Sequence, residues 1–265
     1  MQRATQRLYS DMGRSTSTTI TVRGLDLPSD IMGRLDLGQF AFLEIVGRVP
    51  SAQESVVFNA MLATLVEHGM TPMAIATRLT YLGAPESLQG AVAAGLLGVG
   101  TTFAGTAEGA ARMLQEELQA QPDADLTALA REIVTRMRVK RRSIPGIGHN
   151  LHKPFDPRTV RLFEIAEQNG FRGRHVTLME QVALQAEVAL GKPGQFPVNA
   201  TGAIGALACE LGLSWKICRG LAVIGRAVGL VGHIAVEIRQ PLAREIWERV
   251  EEETSSGAAG QEQEK

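Results

Sequence analysis

The chain has 265 residues, enough for one large or two modest domains, because single cores stop growing at roughly 250 to 300 residues. Apolar residues make up 45% and charged ones 21%, which excludes a disordered or fibrous chain. With 27 Lys and Arg against 28 Asp and Glu, the formal charge of -1 gives no global field toward nucleic acid or anionic lipid, so an anionic ligand must be held by a local cluster.

Met1 to Thr19 is polar, carries Arg3, Arg7 and Arg14, lacks an apolar stretch of signal-peptide length, and reads as an exposed arm. Thr18 to Val22, an unbroken β-branched run, is the one predicted strand. From there apolar residues recur at three- and four-residue spacing, predicting helices over 37–46, 51–67, from Pro72 through Leu79, 88–97, 107–120, 126–138, 157–169, 176–190, 201–211, 214–228, 229–238 and 241–252. Ser51 and Glu54 form a capping box at the start of the second helix, and Pro72 suits the first position of the third. The uncharged run Ser87 to Ala107 reaches membrane-spanning length, but its glycines and Gln89, Thr101 and Thr102 favour a buried helix and turn, so no membrane is expected. Glu251 to Lys265 is charged, without aromatics, and reads as a frayed tail.

Two long loops interrupt the helices, at 141–156 and 191–201, and long loops inside helical domains are where chemistry concentrates. The first reads Pro145-Gly146-Ile147-Gly148-His149, then His152-Lys153-Pro154-Phe155-Asp156-Pro157-Arg158. Its glycines let backbone approach a ligand, Arg158 at a helix start suits a carboxylate, Lys153 and Arg141 suit phosphates, and His149 suits a carbonyl oxygen. Cys209 and Cys218 are too few for a disulfide framework and lack metal-site spacing, so a cytoplasmic protein without a metal is expected.

The Pro-Gly-Ile-Gly-His segment followed by Asp156-Pro157-Arg158 resembles the signature of the citrate synthase and citryl-CoA lyase family. Arg23-Gly24, Val46 to Pro50, Glu67 to Thr71, Gly191-Lys192-Pro193 and Gly225 to His233 follow in family order, so the likeness spans roughly residues 20 to 240. It implies an all-α homodimer with a large domain, 1–106 plus 213–265, and a small one, 107–212, around a cleft, with flexible termini near 1–19 and 254–265. It implies that His149 polarises the ketone of oxaloacetate, that Arg158 and Arg226 hold the carboxylates, and that His68 joins the pocket. Coenzyme A, a thioester substrate here, would be received by Arg141, Pro145, Gly146, Ile147, Gly148, Lys153 and Lys192.

Two family positions are substituted. The histidine that hydrogen-bonds the thioester enolate is Phe103, and the aspartate that removes the α-proton of acetyl-CoA is Thr201. Since acid–base groups each contribute about 10² to 10⁴ in rate, ordinary citrate synthesis should be suppressed. His152 and Glu108 are candidate stand-in acids. An arginine that the family often places before a C-terminal proline is Gln240, with Arg239 or Arg244 as substitutes.

The nominal reaction is cleavage or formation of the carbon–carbon bond of citryl-CoA, between acetyl-CoA and oxaloacetate. The alternatives are a weakened paralogue that binds CoA or a dicarboxylate as a regulatory partner, and a lyase or hydrolase for another acyl-CoA. The cluster Arg136, Arg138, Lys140, Arg141 and Arg142 suits a solvated helix end and a CoA phosphate site equally, and RNA less, because no aromatics interleave. Arg226, on a small apolar helix face, is costly to bury unless a ligand pairs it. His233 reads as a satisfied packing residue and His175 as a surface one.

Overall fold

The structure, a computed structural model, describes residues 9–149 and 151–262. Eleven α-helices run through them: α1 (Leu37–Val46), α2 (Ala52–Val66), α3 (Pro72–Gly83), α4 (Leu88–Leu97), α5 (Gly105–Ala120), α6 (Leu126–Val139), α7 (Pro157–Gln168), α8 (Arg174–Leu190), α9 (Ala200–Glu210), α10 (Cys218–Arg239) and α11 (Ala243–Glu262). Six of these helices start where short polar side chains take up free N–H groups. Asp36 and Gln39 form a capping box on α1, Ser51 and Glu54 on α2, and Thr71, Asp125, Asp156 and Asn199 cap α3, α6, α7 and α9.

The N-terminal region departs from the expected arm and single strand. Residues 1–8 lie outside the described residues, but Gly13–Ser15 (β1) pairs antiparallel with Ile20–Val22 (β2), which pairs with Leu25–Asp26 (β3). Arg23 and Gly24, both at positive φ, make the tight turn between β2 and β3 that two such residues favour. Arg23 anchors this small sheet to the helices, donating to Asp11 at 2.7 Å and to the Glu44 carbonyl at 2.6 Å. The frayed tail is also corrected, because α11 continues as helix to Glu262.

One main core joins α1 and α2 to α5 through α9. Phe42 and Phe58, both fully buried, meet edge-to-face with centroids 5.3 Å apart, and Leu114, Ile133, Met179, Ile204 and Leu207 pack around them. A smaller cluster of Met73, Val99, Ala104, Ala222 and Leu230 seals α3, α4 and α10.

The two helices expected over 214–228 and 229–238 are one helix, α10, preceded by a short 3₁₀ turn at Trp215–Ile217. Gly225 and Gly229 are contact points rather than breaks: a Cβ on Gly229 would sit 1.9 Å from the Val66 carbonyl oxygen, and one on Gly225 3.0 Å from that of Leu62. Bare backbone lets α10 lie directly on α2. By length and hydropathy Trp215–Arg239 could cross a membrane, but it turns Arg226, His233 and Glu237 into the protein, as a core helix does.

Candidate active site

A cleft of about 490 Å³ opens between α2, α3 and α10 on one side and α5, α7, α9 and the loop before α7 on the other. That volume suits a small organic ligand. His68, His149, Arg158 and Arg226 all line it, with Phe103 and Thr201. Residues from distant parts of the chain thus share one cavity.

The two long loops build its floor by pairing with each other. Gly146 and Gly148, at φ +87 and +79, turn the first loop against the second. Gly148 N–H donates to the Pro197 carbonyl at 2.7 Å, Asn199 N–H to the Gly146 carbonyl at 3.0 Å, and Asn199 Nδ2 to the Gly148 carbonyl at 2.8 Å, around an Ile147–Val198 bridge. A Cβ on Gly202 would stand 2.1 Å from the Gly146 carbonyl oxygen, so α9 touches the loop through bare backbone.

This turn fixes the state of His149. Its Nδ1 accepts the backbone N–H groups of Leu151 at 3.1 Å and His152 at 3.0 Å, so the neutral ring carries its proton on Nε2. Burial, with the positive potential of His152 and Arg158, lowers its pKa below the usual histidine range and keeps the ring neutral.

Arg158 is held by Asp156, whose side chain is fully buried. The same carboxylate accepts the Ala200 N–H at 3.1 Å, joining the start of α7 to the start of α9. Burial pushes the Asp156 pKa up, but hydrogen bonds from the Arg158 side chain and backbone and from Ala200 leave it lowered. Across the cleft Arg226 is 9% exposed, and one of its terminal nitrogens is buried without a hydrogen-bond partner. Burial lowers its pKa, Glu67 opposing. A buried guanidinium nitrogen with no partner, on a residue that lines a cavity, is a strong invitation to an anion.

The remaining expected site residues lie elsewhere. Glu108 is engaged with Arg219 at 2.8 Å and is not among the residues lining the cleft. His152 stacks behind His149 with ring centroids 4.4 Å apart, also off the lining. Thr201 donates its hydroxyl to Asn199 Oδ1 at 2.7 Å, so it offers no free base. Of the residues expected to receive coenzyme A, Gly148 lines the cleft. Pro145 packs over Gly109, Gly146 wedges against Gly202, and Ile147 packs on the core. Lys153 donates to Gln195 at 3.0 Å, while Arg141 and Lys192 are exposed beyond the cleft. Of the basic cluster, Arg136 is paired with Glu117 and Arg138 donates to the Ala189 carbonyl at 2.9 Å. His175 is half-buried rather than superficial, its N–H donating to Glu210 at 2.8 Å. Sequence reasoning missed Asp156 and Asn199 as builders of the site, although both stand as short polar residues directly before helices.

Among the described residues no group of three or more His, Cys, Asp or Glu is placed to hold a metal ion.

Residues 23–247 match the family model for the citrate synthase C-terminal domain. The fold superposes on the citryl-CoA lyase of Hydrogenobacter thermophilus with a TM-score of 0.81 and 34% identity, covering 89% of this chain and 88% of that one. It also superposes on the ATP citrate lyase of Methanothrix soehngenii in complex with citrate and coenzyme A, with a TM-score of 0.76 and 23% identity, over 89% of this chain and 40% of that one. The ATP-citrate synthase beta chain protein 1 of Oryza sativa subsp. japonica is 29% identical over 200 residues, 69% of this chain and 32% of that protein. The chain therefore spans about a third of the length of such curated relatives. A site assembled from two paired loops, on an all-α frame matched along most of its length, leaves no other assignment: the chain belongs to the citrate synthase family.

Proposed function

We propose that this protein makes or breaks the carbon–carbon bond between a CoA thioester and an oxo-dicarboxylate, with citryl-CoA, acetyl-CoA and oxaloacetate as the nominal set. The observation that carries this reading is the cleft shared by His149, Arg158 and Arg226: one imidazole N–H donor and two guanidinium groups lining a single cavity. The arginines are suited to the carboxylates of the diacid. His149 Nε2–H is suited to the oxygen that is a ketone on one side of the reaction and an alkoxide on the other.

In the direction of lysis, the tertiary alcohol of the adduct gives its proton to water in the cleft, and the resulting alkoxide collapses to the ketone. The carbon–carbon bond pair moves into the thioester as an enolate, whose carbon then takes up a proton. Because Nδ1 is occupied by two backbone N–H groups, His149 acts as a hydrogen-bond donor to the alkoxide rather than as the base that makes it. No carboxylate is among the residues lining the cleft, so the enolate's proton is assigned to water admitted with the ligand or to His68, the other imidazole there.

The names of two structural neighbours support the reading, one a citryl-CoA lyase and one an ATP citrate lyase holding citrate and coenzyme A. The proposed cleft closes between the two domains, 1–106 with 213–265 and 107–212, in a cytoplasmic homodimer. The apolar side chains Val228, Val231 and Ile238 on the outer face of α10 suit a partner, and two unpaired thiols suit a reducing compartment.

The test follows thiol release from acetyl-CoA plus oxaloacetate, and oxaloacetate formation from citryl-CoA, in wild type and His149→Ala. Lysis that His149→Ala abolishes supports the reading. Phe103 and Thr201 favour a second one, a protein that binds the diacid or CoA without turnover. Binding by calorimetry with neither reaction proceeding would select it.

A further inference from the structure

A line of charged side chains runs along α10 behind the cleft. Arg226, Gly229, His233 and Glu237 are three or four residues apart and share one face of the helix. At the far end Glu237 forms an ion pair with Arg78 of α3, both side chains 5% exposed. The other Glu237 oxygen accepts the N–H groups of Leu242 and Ala243 at 2.8 Å, fixing the start of α11. Arg78 Nε–H donates to His233 Nδ1 at 3.1 Å. The His233 ring proton therefore sits on Nε2, which lies 3.0 Å from Glu67 Oε2 in a contact too bent for a full hydrogen bond. The second Glu67 oxygen accepts the N–H of His68 at 2.9 Å and also that of Gly69. Gly229, one turn from both Arg226 and His233, lies next to Glu67: a Cβ there would stand 3.5 Å from Glu67 Oε2.

The charges are poised against the site. Arg226 is a buried guanidinium with a free terminal nitrogen, and Glu67, half-exposed, is the carboxylate whose charge it feels. Without the His233 contact, the Oε2 end of the Glu67 carboxylate, pivoting about its backbone-held Oε1, has electrostatic reason to turn toward Arg226 and occupy the place of a ligand carboxylate. We propose that His233, oriented by Arg78, is a positioning residue that holds the Glu67 carboxylate off Arg226 and so keeps that guanidinium open to the diacid. The claim rests on the proposed function for the identity of the diacid, but not for the arrangement of the three side chains.

The experiment combines citrate binding by calorimetry with crystal structures of the intact protein. In His233→Ala, citrate affinity is expected to fall about tenfold, and in the double variant His233→Ala/Glu67→Gln to return to within about twofold of wild type, because the amide that replaces the Glu67 carboxylate keeps the hydrogen bond to the His68 N–H but not the charge. His233→Gln, whose amide can accept from Arg78 and donate to Glu67, should bind as wild type does. A loss that the double variant leaves unrelieved makes His233 a packing residue and overturns the proposal. Glu67→Gln alone, on the half-exposed side of the network, covers the case in which His233→Ala does not fold: it should bind citrate at least as tightly as wild type, and weaker binding counts against the idea. In the crystal, Glu67 of His233→Ala should lie on Arg226, and an unmoved Glu67 overturns the proposal. If wild type binds no citrate, the proposed function is wrong about this ligand, and the crystal position of Glu67 decides this question by itself.

Discussion

Asp156 grips Arg158 along one edge of its guanidinium, accepting Nε–H at 3.0 Å and a terminal N–H at 2.8 Å, while also accepting the Arg158 backbone N–H at 3.0 Å. Two residues apart, they form a cap, a clamp and half of an anion site. The carboxylate is fully buried and the guanidinium 29% exposed, so the pair presents its positive side to the cleft.

Removing that carboxylate leaves Arg158 without its clamp and two helix starts without an acceptor. Asp156→Ala should cost about 3 kcal/mol of stability, read as a lower denaturation midpoint, and should weaken diacid binding as well. Asp156→Asn should cost less, since one oxygen still accepts. The Asp156 pKa is lowered in the folded state. Its contribution is therefore present above the unfolded value of about 3.9 and is lost as pH falls from there through the folded one. The denaturant midpoint of Asp156→Asn should accordingly fall less between neutral and acid pH than that of wild type.

The working form of His149 is neutral, and its lowered pKa makes protonation harder in the folded protein than in the unfolded chain. Acidification below about 6.5 protonates the unfolded chain first, so this imidazole subtracts stability as pH falls from there to the folded value. Turnover should hold to lower pH than an ordinary histidine would allow, with the acidic limb of the rate profile displaced below that value. His149→Ala should reduce kcat by about 10² to 10³, the effect of deleting one oxyanion donor, with a smaller change in KM. An unchanged kcat would remove His149 from the chemistry.

Gly202 meets the Gly146 carbonyl oxygen at a distance that no side chain can share. Gly202→Ala should therefore force the two loops apart, with a cost of about 2 kcal/mol or more and loss of ligand binding from the same displacement. A variant with wild-type melting temperature and affinity would show that the floor of the cleft yields more easily than close backbone contact suggests.

Thr201 and Phe103 stand where the resemblance places a carboxylate base and an imidazole, and both side chains line the cleft. The double variant Thr201→Asp/Phe103→His should gain thiol release from acetyl-CoA plus oxaloacetate by about 10² or more if the rest of the site is intact. Absence of any gain would mean that the loss of synthesis lies deeper than these two positions.

Much of this molecule was legible in one dimension. Helix after helix follows from apolar spacing and from caps such as Ser51 with Glu54, because both are local properties of a few neighbouring residues. The short sheet was half-seen: β2 announces itself by β-branching, whereas β1 and β3 exist only through pairing with it. Gly229 misled as a helix break, since a glycine demanded by a neighbouring helix looks in sequence like one demanded by a turn.

The candidate site divides in the same way. The types and order of His68, His149, Arg158 and Arg226 are written in the chain, and the family resemblance they carry implies a diacid pocket. Their convergence on one cleft, the proton on His149 Nε2, the free nitrogen of Arg226 and the withdrawal of Glu108 onto Arg219 were decided by tertiary structure. Residue identity sets which charges and protons are available, but which of them meet, and which are left for a ligand, depends on partners brought together from distant parts of the chain.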